Sequence, residues 1–425
     1  MNSTPASRHE ETTMAFPEKD LKTVRDLAAR VAEIAAEPIQ EERANTWRRF
    51  NRLEQDRPLV LVFPEGSWRE LLPEDEFVCE DPACRGWERD LRRRIYHGEI
   101  LQDDNVVDDE VVAGVAMRNT GWGIEAQRTR PANPLGAAHF VPVIETEEDA
   151  DKIKHPEVSV DWEATERNYQ RTCEVFDGIL PVEKRGPAYG RVSMIDMFSQ
   201  WRGLDQLFWD MVDRPEWLHG VLQFITDGQL SILEAFEREN VLSLNNGAHY
   251  CGSGGVGFSD ELPQPDFDGE HIRATDLWGF ATTQIFSEVS PAMHDEFALR
   301  YEKQWLSRFG LNAYGCCEPL HKKMNQVKQI PRLRRISMSP WVDIEESAAH
   351  LEDQYIFSYK PNPAIMASIE WDPDFVRKGI RDFLEETRGC IVEMVMKDTH
   401  TCNHQPQRMT DWVRIAKEEA EAVVV

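Results

Sequence analysis

The 425-residue chain lacks several features that would each define a class of protein. It has no run of about 18 apolar residues, so the sequence predicts no membrane span. Its first 20 residues are polar and contain no apolar signal core. Only eight cysteines are present, which is too few for a disulfide scaffold. Together these absences predict a cytoplasmic protein with reduced thiols.

Basic side chains are also scarce. The 48 lysines and arginines face 76 aspartates and glutamates, which gives a formal net charge of −28. A surface this acidic repels phosphate backbones and anionic lipid, so we expect neither nucleic acid nor membrane as a partner. Hydrophobic residues nevertheless make up 41% of the chain, which is enough to bury a large core.

Strand-like and helical stretches alternate along most of the chain. A buried strand is predicted at 58–63, and an amphipathic helix at 17–34 is interpreted as a packing or dimer helix. This alternation predicts an α/β protein, a TIM-type (β/α)8 barrel with an N-terminal helical extension, rather than an open sheet. The later predicted strands are 191–197, 241–244, 283–289, 311–315, 335–339, 355–359 and 391–396, with helices at 215–225, 291–305 and 410–415.

We divide the chain into three parts. They are a disordered tail at 1–16, the helical extension with the first barrel elements at 17–150, and the rest of the barrel at 151–425. Two acidic runs, 73–84 and 103–110, are predicted to be solvated loops or helix starts. Cys79 and Cys84 in the first run have a spacing close to that of metal ligands, but no second pair accompanies them.

Polar and metal-binding side chains follow several predicted strands, where barrel enzymes carry their functional groups. Adjacent cysteines are poorly placed to bridge each other, so another role is needed for the pair after the strand at 311–315. Thiolate and imidazole ligands suit zinc. The alternative for any single cysteine is a buried packing residue, and a histidine can cap or pack instead. The candidate zinc ligands are Cys316, Cys317, Glu318, His321 and Cys402, with His249 and His400 as further possibilities.

A zinc held by thiolates is suited to binding a substrate heteroatom, which indicates group transfer rather than hydrolysis. The glycine-rich run at 252–257 lacks the Lys-Ser/Thr of a phosphate loop and the spacing of a dinucleotide fingerprint. We therefore expect it to allow close backbone approach to a flat or bulky ligand.

Several segments resemble the uroporphyrinogen decarboxylase superfamily and, more closely, its cobalamin-dependent methyltransferase branch. The resemblance covers roughly residues 186–420. The matching segments are Arg202-Gly203-Leu204, Asp213-Arg214-Pro215-Glu216, the register at 286–291, Ser-Tyr-Lys-Pro-Asn-Pro at 358–363, and Cys402 placed nine residues before Asp411.

The resemblance implies a barrel whose mouth holds zinc and receives a separate corrinoid protein. Cys316 and Cys402 fall on the family's two zinc cysteines, whereas Tyr314 stands where the family has a histidine. The third ligand must then come from a neighbouring residue, or zinc is bound differently. The decarboxylase itself is a poorer match, because only Arg69 is available where that enzyme needs a basic loop for a polyanionic tetrapyrrole.

We therefore expect a zinc-dependent methyltransferase that moves a methyl group from a small donor, such as a methoxylated aromatic, to a corrinoid protein. The alternatives are a decarboxylase or lyase of a small acid, and a non-catalytic corrinoid-binding partner. Catalytic candidates that would protonate the leaving group or orient a ligand are Glu288, Asp343 and His249, and an aromatic slot for the substrate is predicted from Tyr250, Trp278, Phe286 and Trp341.

Overall fold

The structure is a computed structural model that describes residues 16–130, 136 and 138–423. The predicted tail at 1–16 lies outside the described residues except for Phe16. No helix among the described residues is long and apolar enough to cross a membrane.

The strands are distributed over the whole chain, and they include most of those predicted between 311 and 396. They are β1 (Leu59–Val62), β2 (Val111–Gly114), β3 (Met117–Asn119), β4 (Gln127–Thr129), β5 (His139–Val141), β6 (Val158–Val160), β7 (Val182–Arg185), β8 (Arg191–Val192), β9 (Trp278–Ala281), β10 (Leu311–Tyr314), β11 (Leu333–Met338), β12 (Ile356–Tyr359) and β13 (Ile391–Met396).

Helices connect the strands, and several short ones follow strand ends. They are α1 (Glu18–Ala35), α2 (Pro38–Asn51), α3 (Trp68–Leu71), α4 (Pro82–Ile95), α5 (Trp162–Phe176), α6 (Met194–Arg202), α7 (Leu204–Asp213), α8 (Pro215–Arg238), α9 (Pro291–His294), α10 (Arg300–Leu306), α11 (Met324–Val327), α12 (Ile344–Leu351), α13 (Ala364–Ala367), α14 (Pro373–Glu386) and α15 (Gln407–Ala422).

A seven-stranded sheet forms the centre of the protein, with the strand order β1-β13-β12-β11-β10-β9-β8. Every neighbouring pair is parallel. The carboxyl ends of parallel strands lie at one edge, so the loops that follow these strands share one side of the molecule. The α/β class is thus confirmed, while closure into a barrel and the division of the chain at residue 150 stay predictions.

Parts of the strand prediction are wrong. Residues 283–289 are not a strand, because carboxylates bind their backbone and turn the chain: Glu318 accepts the N–H of Thr283 at 3.3 Å, and Asp196 accepts those of residues 284 and 285. Residues 241–244 form no strand either. Next to them the Asn245 side chain bonds both the N–H and the carbonyl of Trp278, at 2.8 and 3.0 Å, in place of a backbone ladder. The predicted strand at 191–197 ends early, since α6 begins at Met194.

The predicted amphipathic helices are confirmed by α1, α8, the segment from α9 to α10, and α15. In α1 the apolar stripe is buried within the chain against α4 and the two cysteines at 79 and 84. Burial raises the pKa of Cys79 to about 12 and that of Cys84 to about 11. These cysteines are therefore protonated thiols packed in the core.

The acidic run at 103–110 is not the solvated loop or helix start that the sequence predicts, because its first two carboxylates are buried. Asp103 accepts the N–H of Val62 at 2.9 Å, and Asp104 accepts that of Val60 at 2.8 Å. Asp104 also forms a two-pronged ion pair with Arg57, at 2.7 and 2.8 Å. The two carboxylates accept hydrogen bonds from backbone N–H groups of β1, which is the outermost strand in the sheet order. A further strand would otherwise pair with these N–H groups.

The glycine-rich loop packs against a buried ion pair of the sheet, and close approach of a ligand to it stays a prediction. Arg335 of β11 and Glu393 of β13 form a buried ion pair at 2.9 Å, and Gly255 donates its N–H to Glu393 at 2.8 Å. A Cβ atom at Gly254 or Gly255 would lie 2.4 Å from a carboxylate oxygen of Glu393. The glycines are needed because the backbone covers this ion pair at close range.

Candidate functional site

The loop after β10 brings Cys316 to the carboxyl edge of the sheet. Gly315 adopts a φ of +87°, a left-handed conformation that favours glycine, and turns the chain as the strand ends. The fully buried Glu318 then accepts the N–H of Cys316 at 2.9 Å and the hydroxyl of Thr282, which follows β9, at 2.8 Å. The loop is therefore fixed by a carboxylate bound to two strand ends.

Hydrogen-bond donors surround the Cys316 sulfur. Ser253 Oγ lies at 3.0 Å, Lys360 Nζ at 3.5 Å and the Cys317 sulfur at 3.6 Å. The hydrogen bond from the Cys317 thiol is the largest influence on the pKa of Cys316. Burial opposes it, but the Lys360 charge and the Ser253 hydroxyl add to its effect, and the pKa falls well below its usual range. Cys316 is therefore a thiolate, which is the nucleophilic form of cysteine.

Two lysines follow the neighbouring strands and supply positive charge. Lys360, directly after β12, also donates to the Cys316 carbonyl at 2.8 Å, and burial lowers its pKa. Lys397, directly after β13, lies 3.4 Å from the Tyr250 hydroxyl. Sequence reasoning missed both lysines and Ser253, although the position of each lysine immediately after a strand was a usable signal.

Cys402 lies in a loop after β13 and has a different environment. Its sulfur donates to Glu70 at 3.0 Å, and Glu70 also accepts the backbone N–H groups of Cys402 and His404, at 2.9 and 3.0 Å. Burial and then the Glu70 charge raise the pKa of Cys402 to about 12. Partial burial acts against ionisation of Glu70, but these hydrogen bonds lower its pKa to about 2. Cys402 is therefore a neutral thiol beside a carboxylate.

Tyr314, at the position where the resembling family has a histidine, belongs to a buried polar network. Its hydroxyl donates to Glu302 at 2.8 Å and lies 2.7 Å from Nε2 of His294. Thr283 donates to the other Glu302 oxygen at 2.7 Å. Burial raises the pKa of Glu302 to about 8 and lowers that of His294 to about 3, so both side chains are neutral at pH 7.

The predicted zinc ligands do not gather around one point. The sulfurs of Cys316 and Cys317 are 3.6 Å apart, close to the ~3.8 Å expected for two thiolates on one tetrahedral zinc. Cys402 and Glu318 are engaged elsewhere, as described above, and Nδ1 of His321 is buried without a hydrogen-bond partner. Residues 16–130, 136 and 138–423 hold no group of three or more His, Cys, Asp or Glu arranged for a metal ion. Catalytic zinc takes three protein ligands, so this arrangement does not fit it, and zinc stays a prediction.

The remaining predicted site residues are dispersed. Among the aromatic candidates, the Tyr250 hydroxyl lies 3.4 Å from Lys397, whereas Trp278 and Phe286 are buried in the core. Trp341 is 69% exposed. Glu288 is exposed, Asp343 caps α12 by accepting the N–H of residue 346 at 2.8 Å, and His249 lies 3.4 Å from Arg185, where burial and that arginine lower its pKa.

No protein-family model and no curated protein sequence matches the chain. Among solved structures, the chain is similar to a methyltransferase from Methanosarcina mazei, with a TM-score of 0.47 and 9% sequence identity. The alignment covers 88% of this chain and 98% of that one. The family resemblance seen in the sequence stays a prediction.

Proposed function

We propose that the protein is a transferase for methyl groups in which the Cys316 thiolate attacks the methyl carbon. The observation that carries this proposal is the Cys316 sulfur itself, buried at the carboxyl edge of the sheet with Ser253 and Lys360 as donors. A desolvated thiolate is a strong nucleophile toward a soft carbon electrophile.

The transfer is a displacement at carbon. The thiolate forms the S–CH3 bond while the bond between the methyl group and its heteroatom breaks, and the electron pair leaves with the heteroatom. The ammonium of Lys397, with the Tyr250 hydroxyl 3.4 Å away, supplies a positive charge that stabilises a departing oxygen. A neutral donor suits a chain with a net charge of −28 better than a polyanionic one.

A corrinoid protein is the partner that the sequence resemblance implies, and we keep it in the proposal as the other methyl carrier. A second displacement would pass the methyl group on to the corrinoid. A bond from the corrinoid to the methyl carbon would form as the S–CH3 bond breaks, and Cys316 would return to the thiolate. Methylcobalamin is a simple probe of this step, because transfer of its methyl group to a thiolate leaves cob(I)alamin, which is recognised by its absorbance.

The test is anaerobic incubation of the full chain with methylcobalamin, followed by peptide mass analysis. We expect the mass of one CH2 group to be added at Cys316 and cob(I)alamin to appear in equal amount. Cys316→Ser should abolish both signals. Cys173→Ser, a cysteine change on α5, is the matched control and should leave both unchanged.

Methyl transfer that persists in Cys316→Ser would remove the thiolate from the mechanism. Metal analysis of the purified protein, with and without Cys317→Ser, tests the zinc prediction separately. A second methyl source, 1,2-dimethoxybenzene, tests whether a methoxylated aromatic serves as the donor.

A further inference from the structure

Cys316 and Cys317 are adjacent cysteines that differ in their exposure to solvent. The Cys316 side chain is buried and accepts hydrogen bonds, whereas Cys317 is exposed to solvent. Their sulfurs are 3.6 Å apart, on the same side of the loop. Methyl transfer as proposed above uses Cys317 only as a hydrogen-bond donor to Cys316, and its own sulfur does not react.

We propose that Cys316 and Cys317 are a reversible oxidation site, at which a hydroperoxide converts the two thiols into a vicinal disulfide. This inference rests on the geometry of the pair and does not require the protein to transfer methyl groups.

The chemistry takes place in two balanced steps. The Cys316 thiolate attacks the distal oxygen of the hydroperoxide, the O–O bond breaks, and Cys316 becomes a sulfenic acid while hydroxide or alkoxide leaves. The Cys317 sulfur then attacks the sulfenic sulfur, and water leaves with the Cys317 proton. The two thiols lose two electrons in total, and the hydroperoxide gains them.

The structure makes Cys317 the resolving thiol. The sulfurs of Cys316 and Cys317 must approach each other by only about 1.5 Å to reach the ~2.05 Å of a disulfide bond. Two other cysteines near the sheet edge are engaged elsewhere: Cys251 lies in an apolar cluster, and the Cys402 thiol is bound to Glu70. The Lys360 ammonium, 3.5 Å from the Cys316 sulfur, can neutralise the departing hydroxide.

The neighbouring positions also make the disulfide easy to reduce. Consecutive Cα atoms are about 3.8 Å apart across a trans peptide, which is shorter than the ~4.4–6.8 Å found across ordinary disulfides. A disulfide formed under this constraint is strained, and strained or exposed disulfides are the labile ones. The sequence expectation that adjacent cysteines are poorly placed to bridge each other agrees with this proposal, because the strain makes the bridge reversible.

The test uses the full chain, hydrogen peroxide and mass analysis of the tryptic peptide 309–322, which contains both cysteines and no other. We expect this peptide to lose the mass of two hydrogens, to resist alkylation by iodoacetamide, and to regain both thiols with dithiothreitol. In Cys317→Ser, the sulfenic acid should persist and be trapped by dimedone on Cys316. Cys173→Ser should behave as the wild type does.

A wild-type peptide that shows the same dimedone adduct as Cys317→Ser, or that proceeds to sulfinic acid, would overturn the proposal. So would a disulfide between Cys316 and any cysteine other than Cys317. The loss of two hydrogens is measured without a methyl donor, so failure of this proposal is distinguishable from failure of the methyltransferase proposal, which predicts the gain of one CH2 group. If both proposals hold, the oxidised protein will not accept a methyl group from methylcobalamin until it is reduced.

Discussion

Two cysteine loops follow strands of the same sheet and have opposite chemistry. Cys316 lies among a hydroxyl, an ammonium and a second thiol, and it is ionised. Cys402 is equally inaccessible but is bound to the Glu70 carboxylate, and it is protonated. Burial raises the pKa of both thiols, so the hydrogen-bond partners of each sulfur and the sign of the neighbouring charge decide which of them is reactive.

The difference separates a candidate nucleophile from a structural residue. The Cys402 loop is held by Glu70, which collects two backbone N–H groups and the thiol at one carboxylate. The Cys316 loop is held by Glu318, whose oxygens bind backbone and hydroxyl donors and leave the sulfur free of a carboxylate. Each loop is thus organised by a glutamate, but only one glutamate contacts the sulfur.

The largest expected effect is a difference in alkylation between the two thiols. At pH 6 and with the protein folded, iodoacetamide should label Cys316 at least about 100-fold faster than Cys402, because only Cys316 has an appreciable thiolate fraction. Peptide mass analysis over time measures both rates in one sample. Equal rates would mean that the two environments do not control ionisation.

Removing the Lys360 ammonium should reduce the difference in alkylation rate between Cys316 and Cys402. In Lys360→Met, the midpoint of the pH profile for Cys316 labelling should rise by about 1 pH unit, because a neighbouring positive charge is lost. Lys322→Met, a change of an exposed lysine in the same part of the chain, is the matched control. The prediction fails if the midpoint stays where it is in the wild type.

Glu302, in the buried network beside the Cys316 loop, should make stability fall as pH rises above about 6.5. Below that value the lowered pKa of His294 gives a slope of opposite sign. The folded pKa of Glu302 is raised to about 8, above the ~4.3 of an unfolded glutamate, so the folded state holds a proton that the unfolded state releases between these values. Its contribution is complete below about pH 4.3 and is lost toward pH 8, at about 1.4 kcal/mol for each pH unit.

Glu302→Gln should flatten this part of the stability curve, measured by denaturant unfolding from pH 5 to 8. The amide has a similar shape and no titrating proton. A curve with the same slope in the variant and the wild type would assign the pH dependence to other groups.

The smallest effect is expected at the Cys402 loop, and it has the opposite sign. The lowered pKa of Glu70 gives stability that is present above about pH 4.3 and is lost as pH falls toward 2. Glu70→Gln should reduce this acid sensitivity and should raise Cys402 labelling at pH 8 a few-fold, because a negative charge beside the thiol is removed. Cys316 labelling in the same sample is the internal control.

The sequence predicted much of the sheet, because strands such as β10, β12 and β13 are short apolar runs bounded by polar or turn residues. It failed where side chains replaced backbone pairing. The predicted strand at 283–289 became a turn through Glu318 and Asp196, and the first two carboxylates of the acidic run at 103–110 were buried against β1. These contacts join residues far apart in the chain, so local periodicity does not reveal them.

The sequence by itself determined which chemistry-bearing residues follow which strands, and therefore placed the cysteines at one edge of the sheet. Only the tertiary structure decided which cysteine is reactive. The Cys316 sulfur meets Lys360, 44 residues away, and the Cys402 sulfur meets Glu70, 332 residues away. The pKa of a buried thiol is set by hydrogen-bond donors and charges within a few ångströms, and apart from Cys317, which is adjacent to Cys316 in the sequence, the fold brings them near.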